Sequence, residues 1–289
     1  MQMLRRTINE QPGIIDRMMI WLEMGMSYDA NKPSIARIYD YWLGGTHNFP
    51  IDRAVGEQMA QLVPFVVQAL RLNRWFVTYA GSYLAQAGID HFIDLGAGLP
   101  TEGSLHESVP ETSKILYDDF DPDAVAYARE ILDARPHIEF VQARIEDIDT
   151  IVGAAERFFG AQRRVGICMS AVAHFIDDDS LRHVFRRLYD WSAPGSMLAV
   201  SSNDADPTDP NQRAAIASYE QRTGARLYLR SAQHLYSLIE PWQPQSGGFH
   251  PFEAYAEADL GRLVVQPGFR GRVGYAGFFI RPPYSGSEA

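Results

Sequence analysis

HFIDLGAGLPTEGSLHESVPETSKILYDDFDP, running from His91 to Pro122, is the stretch from which the fold can be read. It opens on His91-Phe92-Ile93-Asp94-Leu95, an apolar run too short for a helix and closed by glycine. Such a run reads as a strand buried in a parallel sheet. Gly96-Ala97-Gly98 lets the backbone turn sharply and approach a ligand, because two of the three residues lack a Cβ. Pro100, Thr101, Glu102 and Glu107 suit the first turns of a helix. A second strand, Lys114 to Asp118, ends in Asp118-Asp119-Phe120-Asp121, and Pro122 opens another helix. Strand, glycine turn, helix, strand and acid make the nucleotide-binding half of a doubly wound sheet. Asp119 follows Gly98 by twenty-one positions, where a strand-end acid can accept hydrogen bonds from two ribose hydroxyls.

The kind of nucleotide turns on one missing glycine. A dinucleotide fingerprint places its third glycine at position 101, which is Thr101 here, with Gly103 two residues late. That glycine brings helix and strand together beside a pyrophosphate, so its absence disfavours NAD or FAD. The pattern Asp94-Leu95-Gly96-Ala97-Gly98 instead resembles the first motif of class I S-adenosylmethionine methyltransferases, whose cofactor carries no phosphate.

Downstream, βα alternation continues. A helix is expected over Asp123–Ala134, a strand over Ile138–Gln142, a helix around Ile151–Phe159 and a strand over Val165–Ser170. A helix from about Asp179 to Trp191, capped by Asp177-Asp178-Asp179, and a strand over Gly195–Ser202 follow. Residues 203–230 read as an insertion with a helix from Asn211, and Ser231 starts a helix to Ile239. The last fifty residues carry two strands that close the sheet antiparallel. Upstream, residues 51–88 read as two or three helices broken at Pro64 and closed near Gly88. The expected fold is α/β, a doubly wound, mainly parallel seven-stranded sheet of Rossmann-like type with an N-terminal helical cap. The cap is expected over 1–88 and the nucleotide-binding domain over 89–289, as one compact unit. Within the cap, Ile14, Ile15, Met18, Met19 and Leu22 suit a packing helix or a homodimer contact.

Apolar residues make up 46% and charged residues 21% of the 289, values that supply a sizeable core. A net charge of −10 argues against a nucleic-acid partner. The lone cysteine, Cys168, forbids an internal disulfide and sits in an apolar run, as a buried inert thiol would. No apolar run is long enough to span a membrane, and Asp16, Arg17 and Glu23 interrupt the layout of a secretory signal. The expected location is cytoplasmic.

The block NKPSIARIYDYWLGGTHNFP over residues 31–50 is the most particular. Pro33 and Ser34 open a helix with Ile35, Ile38, Tyr39 and Trp42 on one face, and Gly44-Gly45 end it. Together with Asp52 and Arg53, this block resembles the S-adenosylmethionine-dependent methyltransferases abundant in actinobacteria, long catalogued as a family of unknown function. The resemblance continues at Asp94, Gly96, Gly98, Leu99, Pro100, Thr101, Gly103, His106 and Glu107, and at Tyr117-Asp118-Asp119 with Asp121-Pro122. It also covers Ala171-Val172, His174-Phe175, Tyr275-Ala276-Gly277 and Arg281-Pro282, spanning about residues 31–283. It departs at Trp42, His47 and Arg144. The resemblance implies the class I fold and S-adenosylmethionine as cofactor, and leaves the acceptor undefined.

In such a sheet ligands bind at the carboxyl ends of the strands. The cofactor site is therefore expected at Asp94, Gly96, Ala97, Gly98, Thr101, Asp119, Phe120, Arg144, Ile145 and Ser170. Arg144 cannot accept a hydrogen bond from adenine, so its backbone or that of Ile145 would serve, or Glu146 would substitute by a local shift. Tyr39, Tyr41, His47 and Asn48 are candidates for lining a small-molecule acceptor pocket. His174, just past the fourth strand, is the candidate base, set against a purely structural histidine. His106 beside Glu107 has no further ligand at metal spacing, so no metal is expected. Two rival readings remain at this stage: an NAD(P)-dependent oxidoreductase, and a protein that binds S-adenosylmethionine as a sensor without turnover.

Overall fold

The computed structural model describes residues 32–63, 65–100, 103–132, 135–203, 210–256 and 274–283, so the amphipathic stretch at 1–30 and Thr101 lie outside the described residues. Three helices come first: α1 (Ile35–Leu43), α2 (Pro50–Leu62) and α3 (Val66–Gln86). The sheet elements then alternate as β1 (His91–Leu95), β2 (Lys114–Asp119), α4 (Pro122–Leu132), β3 (Ile138–Gln142), α5 (Ile148–Phe159), β4 (Gly166–Ser170), α6 (Asp178–Trp191) and β5 (Met197–Ser202). After them come α7 (Pro210–Thr223), α8 (Ala232–Ile239), β6 (Gln243–Pro251), α9 (Phe252–Ala256) and β7 (Tyr275–Ile280).

The seven strands lie in the order β3-β2-β1-β4-β5-β7-β6. The first five are mutually parallel, while β7 runs antiparallel between β5 and β6. The order reverses between β1 and β4, which marks the crevice where such sheets bind ligands.

Period-two alternation sorts the strand residues onto two covered faces. Ile93, Leu95, Ile167, Met169, Leu198 and Val200 pack with α5, α6 and α8, through Ile151, Val152, Leu181, Phe185 and Leu238. Phe92, Ile115, Tyr117, Cys168 and Ala199 pack with α3, through Leu72, Phe76, Ala80 and Leu84. Burial raises the Cys168 thiol well above its usual range, so it is a core side chain and no nucleophile.

Side-chain caps fix several helix starts. Ser34 accepts from the Arg37 N–H, Asp177 from the Asp179 and Ser180 N–H groups, and Ser231 from the His234 N–H. Gly44, at φ 88°, closes α1 in the left-handed conformation.

One expectation fails. The helix read after Pro100 is a single 3₁₀ turn, Leu105–Glu107. Its place is taken from the other side of β1, where α3 covers the face that a crossover helix would otherwise cover. Gly81 of α3 lies so close that a Cβ there would stand 2.2 Å from Ser108 Oγ. Leu105 and Val109 pack into the α3 core. A helix entering the sheet before its first strand left no trace in the 91–122 pattern.

Candidate functional site

The glycine turn is wired to the two acids that end β2. The Gly96 N–H donates to Asp118 Oδ1 (3.2 Å), the Ala97 N–H to the Asp118 carbonyl (2.9 Å) and the Gly98 N–H to Asp119 Oδ2 (2.8 Å). The Asp121 N–H donates to Asp119 Oδ1 (2.8 Å), so each Asp119 oxygen holds one backbone donor and keeps a second lone pair. Gly96 (φ 67°) admits no side chain, since a Cβ would stand 2.7 Å from Val172 Cγ1. Gly98 (φ 64°) faces open space, the condition for backbone to approach a ligand. The neighbouring Asp118 is fully buried on the opposite face of the strand.

Three carboxyls in this corner, Asp94, Asp118 and Asp119, are held out of water. Burial raises Asp94 to about 7, with Arg74 opposing and Asp119 adding to the rise. Burial raises Asp119 to about 6 against the pull of its backbone donors. Arg74 of α3 donates instead to Ser104 Oγ (2.8 Å) and the Leu99 carbonyl (3.3 Å), tying down the far end of the glycine loop.

At the outer edge, Phe120 is 52% exposed although it is a large apolar ring. The guanidinium carbon of Arg144 lies 5.0 Å from its centroid. The Ala143 N–H donates to the Asp119 carbonyl (3.1 Å), which places the loop after β3 beside the strand-end acid. The Ile145 side chain turns into the core.

On the other side of the switch point, a buried polar network links the sheet to the cap. Asn73 Oδ1 accepts from Ser170 Oγ (2.9 Å) and Ser201 Oγ (2.5 Å). Asn73 Nδ2 donates to the Tyr39 hydroxyl (3.1 Å), which donates to the Leu70 carbonyl (3.3 Å). Ala171, next in the chain, stands at φ 55°, a strained value for a residue with a Cβ. His174 is buried, and its Nδ1 has no hydrogen-bond partner among the described residues. Burial and the Arg230 charge push it down to about 4, so the ring is neutral at physiological pH. Arg230 spans this loop, donating to the Ala173 and Ile176 carbonyls and to Asp178.

The cap reaches the same strand ends. Ser34 Oγ donates to Asp121 Oδ2 (2.8 Å), and Arg37 pairs with Asp52 (2.8 Å) and Asp123 (2.7 Å). Asp40, fully inside, accepts from the His47 N–H (2.7 Å) and Asn48 Nδ2 (2.9 Å). A Cβ on Gly45 would strike its carboxylate.

A family model described as S-adenosyl methyltransferase matches residues 23–248. The chain belongs to that family. Two similar solved structures come from actinobacteria. One is a presumed methyltransferase of Thermobifida fusca, 27% identical, with 88% of this chain and 97% of that one covered at a TM-score of 0.77. The other is a DUF574 family protein of Streptomyces avermitilis, 28% identical, with 88% and 99% covered at a TM-score of 0.76. No curated protein sequence matches the chain. This S-adenosyl methyltransferase is thus an enzyme with S-adenosylmethionine as its cofactor, built on the class I sheet.

The residues of this S-adenosyl methyltransferase fit that cofactor: an open approach at Gly98, an acid with spare lone pairs at Asp119, a second buried acid at Asp94 and an exposed ring at Phe120. Of the expected acceptor-side residues, only Tyr39 joins the network at the strand ends. Tyr41 turns to α2, where its hydroxyl donates to Glu57 (3.1 Å). Asn48 spends its amide on Asp40 and the Gly45 carbonyl, and its oxygen accepts from Arg53 (2.9 Å). His47 packs edge-on against Tyr127 of α4. Asn73, Arg74 and Arg230 were not among the expected site residues; Asn73 and Arg74 follow Arg71 in the polar part of α3, between Leu72 and Trp75. His106 Nδ1 contacts the Tyr117 hydroxyl (2.9 Å), a partner found in the core.

Asp119→Ala should weaken S-adenosylmethionine by about 1.5–3 kcal/mol, roughly 10- to 150-fold, the range for hydrogen bonds to a charged acceptor. Calorimetry on the purified variant measures it. Wild-type affinity for Asp119→Ala, together with a loss in Asp121→Ala, would move the ribose contact to the other acid.

Proposed function

We propose that the protein methylates a small-molecule acceptor held between α1 and the loop after β4, with the 33–49 segment acting as a lid on the strand ends. S-adenosylmethionine, when bound, supplies an electrophilic methyl group on a sulfonium. In this reading Asp119 receives the ribose hydroxyls, Asp94 faces the ammonium of the amino-acid tail and the Gly96–Gly98 backbone runs alongside. Alignment of the acceptor and exclusion of water then carry most of the catalysis. We assign His174 to orienting the acceptor through a hydrogen bond, because a base whose conjugate acid sits near 4 draws a proton weakly at neutral pH.

The observation that supports the lid is the pair of contacts from α1 to the β2–α4 loop, Ser34 to Asp121 and Arg37 to Asp123. Asp121 in turn donates its N–H to Asp119, so the cap touches the ribose acid through one residue. Ser170 and Asn73 provide a second link, from β4 to Tyr39 on α1. Both connections run through side chains that a bound ligand would adjoin.

Hydrogen exchange with and without S-adenosylmethionine tests it. Protection should appear at residues 37–49 as well as at Gly96–Gly98 and Asp119-Phe120. Protection at the two loops alone, with the cap unchanged, would reduce α1 and α2 to a stability element. Turnover is tested separately, by release of S-adenosylhomocysteine with panels of phenol, amine, thiol and carbon-acid acceptors.

A further inference from the structure

We propose that Arg144 binds the adenine of the cofactor with the flat face of its guanidinium, stacking the base against the Phe120 ring. The inference rests on the cofactor placement given above. Phe120 is one of three large apolar side chains among the described residues that stand exposed, with Leu62 at the end of α2 and Tyr236 on α8. A ring that is 52% exposed one residue after the ribose acid calls for a cover. The cover present is a guanidinium 5.0 Å from the ring centroid. Arginine, planar and weakly hydrated, is the cation best suited to an aromatic face.

The same side chain cannot read the edge of adenine as an acid would, because a guanidinium has five donors and no acceptor. Nor is it held elsewhere: its ion pair with Glu146 is 3.7 Å long and its side chain is 65% exposed. Rotation about its own torsions can open the stack by the thickness of a base. Phe120, by contrast, carries a short side chain on a backbone tied to its neighbours, with Gln142 Nε2 reaching its carbonyl (3.5 Å). The arrangement is a ring on a short stem and a charged plane on a long one, which suits an aromatic base in either orientation of its polar edge.

Calorimetry with S-adenosylhomocysteine and with its deaminated analogue, S-inosylhomocysteine, tests the assignment on wild type, Arg144→Ala, Phe120→Ala and Asp119→Ala. Arg144→Ala should weaken both ligands by the same factor, roughly 5- to 30-fold for a cation–π contact taken out of water. Phe120→Ala should do likewise. Unchanged affinities in Arg144→Ala, or a loss more than threefold larger for one ligand than for the other, would overturn it, since an edge contact distinguishes the two bases and a stack does not. Asp119→Ala separates the layers of the argument. If it binds normally, the ribose placement itself is wrong. If it binds weakly while Arg144→Ala matches wild type, the placement stands and the stacking role falls.

Discussion

Asp94→Asn will be more stable than the wild type at pH 8 in the absence of ligand, and will bind S-adenosylmethionine more weakly. Burial raises the Asp94 carboxyl from 3.8 to about 7, so the folded chain holds this proton more tightly than the unfolded chain. Stability from such a group is complete below 3.8 and drains away as pH rises through the folded value. A shift of this size corresponds to about 4 kcal/mol at most by pH 8. Asparagine abolishes the titration, so the gain should be large at pH 8 and shrink as pH falls toward 4. Urea unfolding at the two ends of that window measures it. Loss of the charge should cost binding about 1.5–3 kcal/mol at pH 8. Wild-type affinity should rise as pH passes from 5.5 to 7.5, where Asp94 and Asp119 ionise, and the Asn variant should rise less. A variant less stable than wild type at pH 8, or a gain that ignores pH, would refute the account.

Arg37→Ala should be the most damaging single change in the cap, costing about 3–5 kcal/mol. Asp52 is fully buried, and the guanidinium 2.8 Å away is its cation. The Ser34 and Phe49 N–H groups would still donate to it, at 2.9 and 2.8 Å, and would not neutralise it. Asp123, already raised to about 6 by burial and Asp121, would lose the charge that holds it down. Denaturant midpoints give the cost, and the double variant Arg37→Met, Asp52→Asn should recover part of it by removing the stranded charge. An Arg37→Ala chain within 1 kcal/mol of wild type would mean water reaches Asp52 freely.

The first two strands were legible because each is a short, mostly apolar run, closed by glycine at β1 and by acids at β2. β1 and β3 begin and end on the expected residues. Asp119 was legible too, by its spacing of twenty-one positions from Gly98, and the Gly98 N–H does reach its Oδ2 (2.8 Å). The cap was less so. Tyr39 and Tyr41 are two residues apart on a helix, about 200° around it, so both could not face one pocket. Asn48 looked like a donor for an acceptor molecule, and its loop folds so that Asp40 consumes it. The connection of Asn73 to Ser201 spans 128 positions and has no local pattern. Long-range polar contacts of this kind are decided by which helix lands on which strand end.

The position of β7 has a consequence for the growing chain. Among the described residues β6 pairs only with β7, and β7 alone joins it to β5. Residues 243–251 therefore emerge from the ribosome with no strand to dock on until Tyr275–Ile280 arrives and slides between them and β5. A chain halted short of Tyr275 would forfeit two strands at once. It would leave β5, with its fully buried residues from Met197 to Ser202, as a bare rim on the sheet. Such a rim invites pairing with other unfinished chains. The last strand to be made is the one that seals the sheet, and nonsense truncations that remove Tyr275–Ile280 should clump where truncations just after Pro282 stay dispersed.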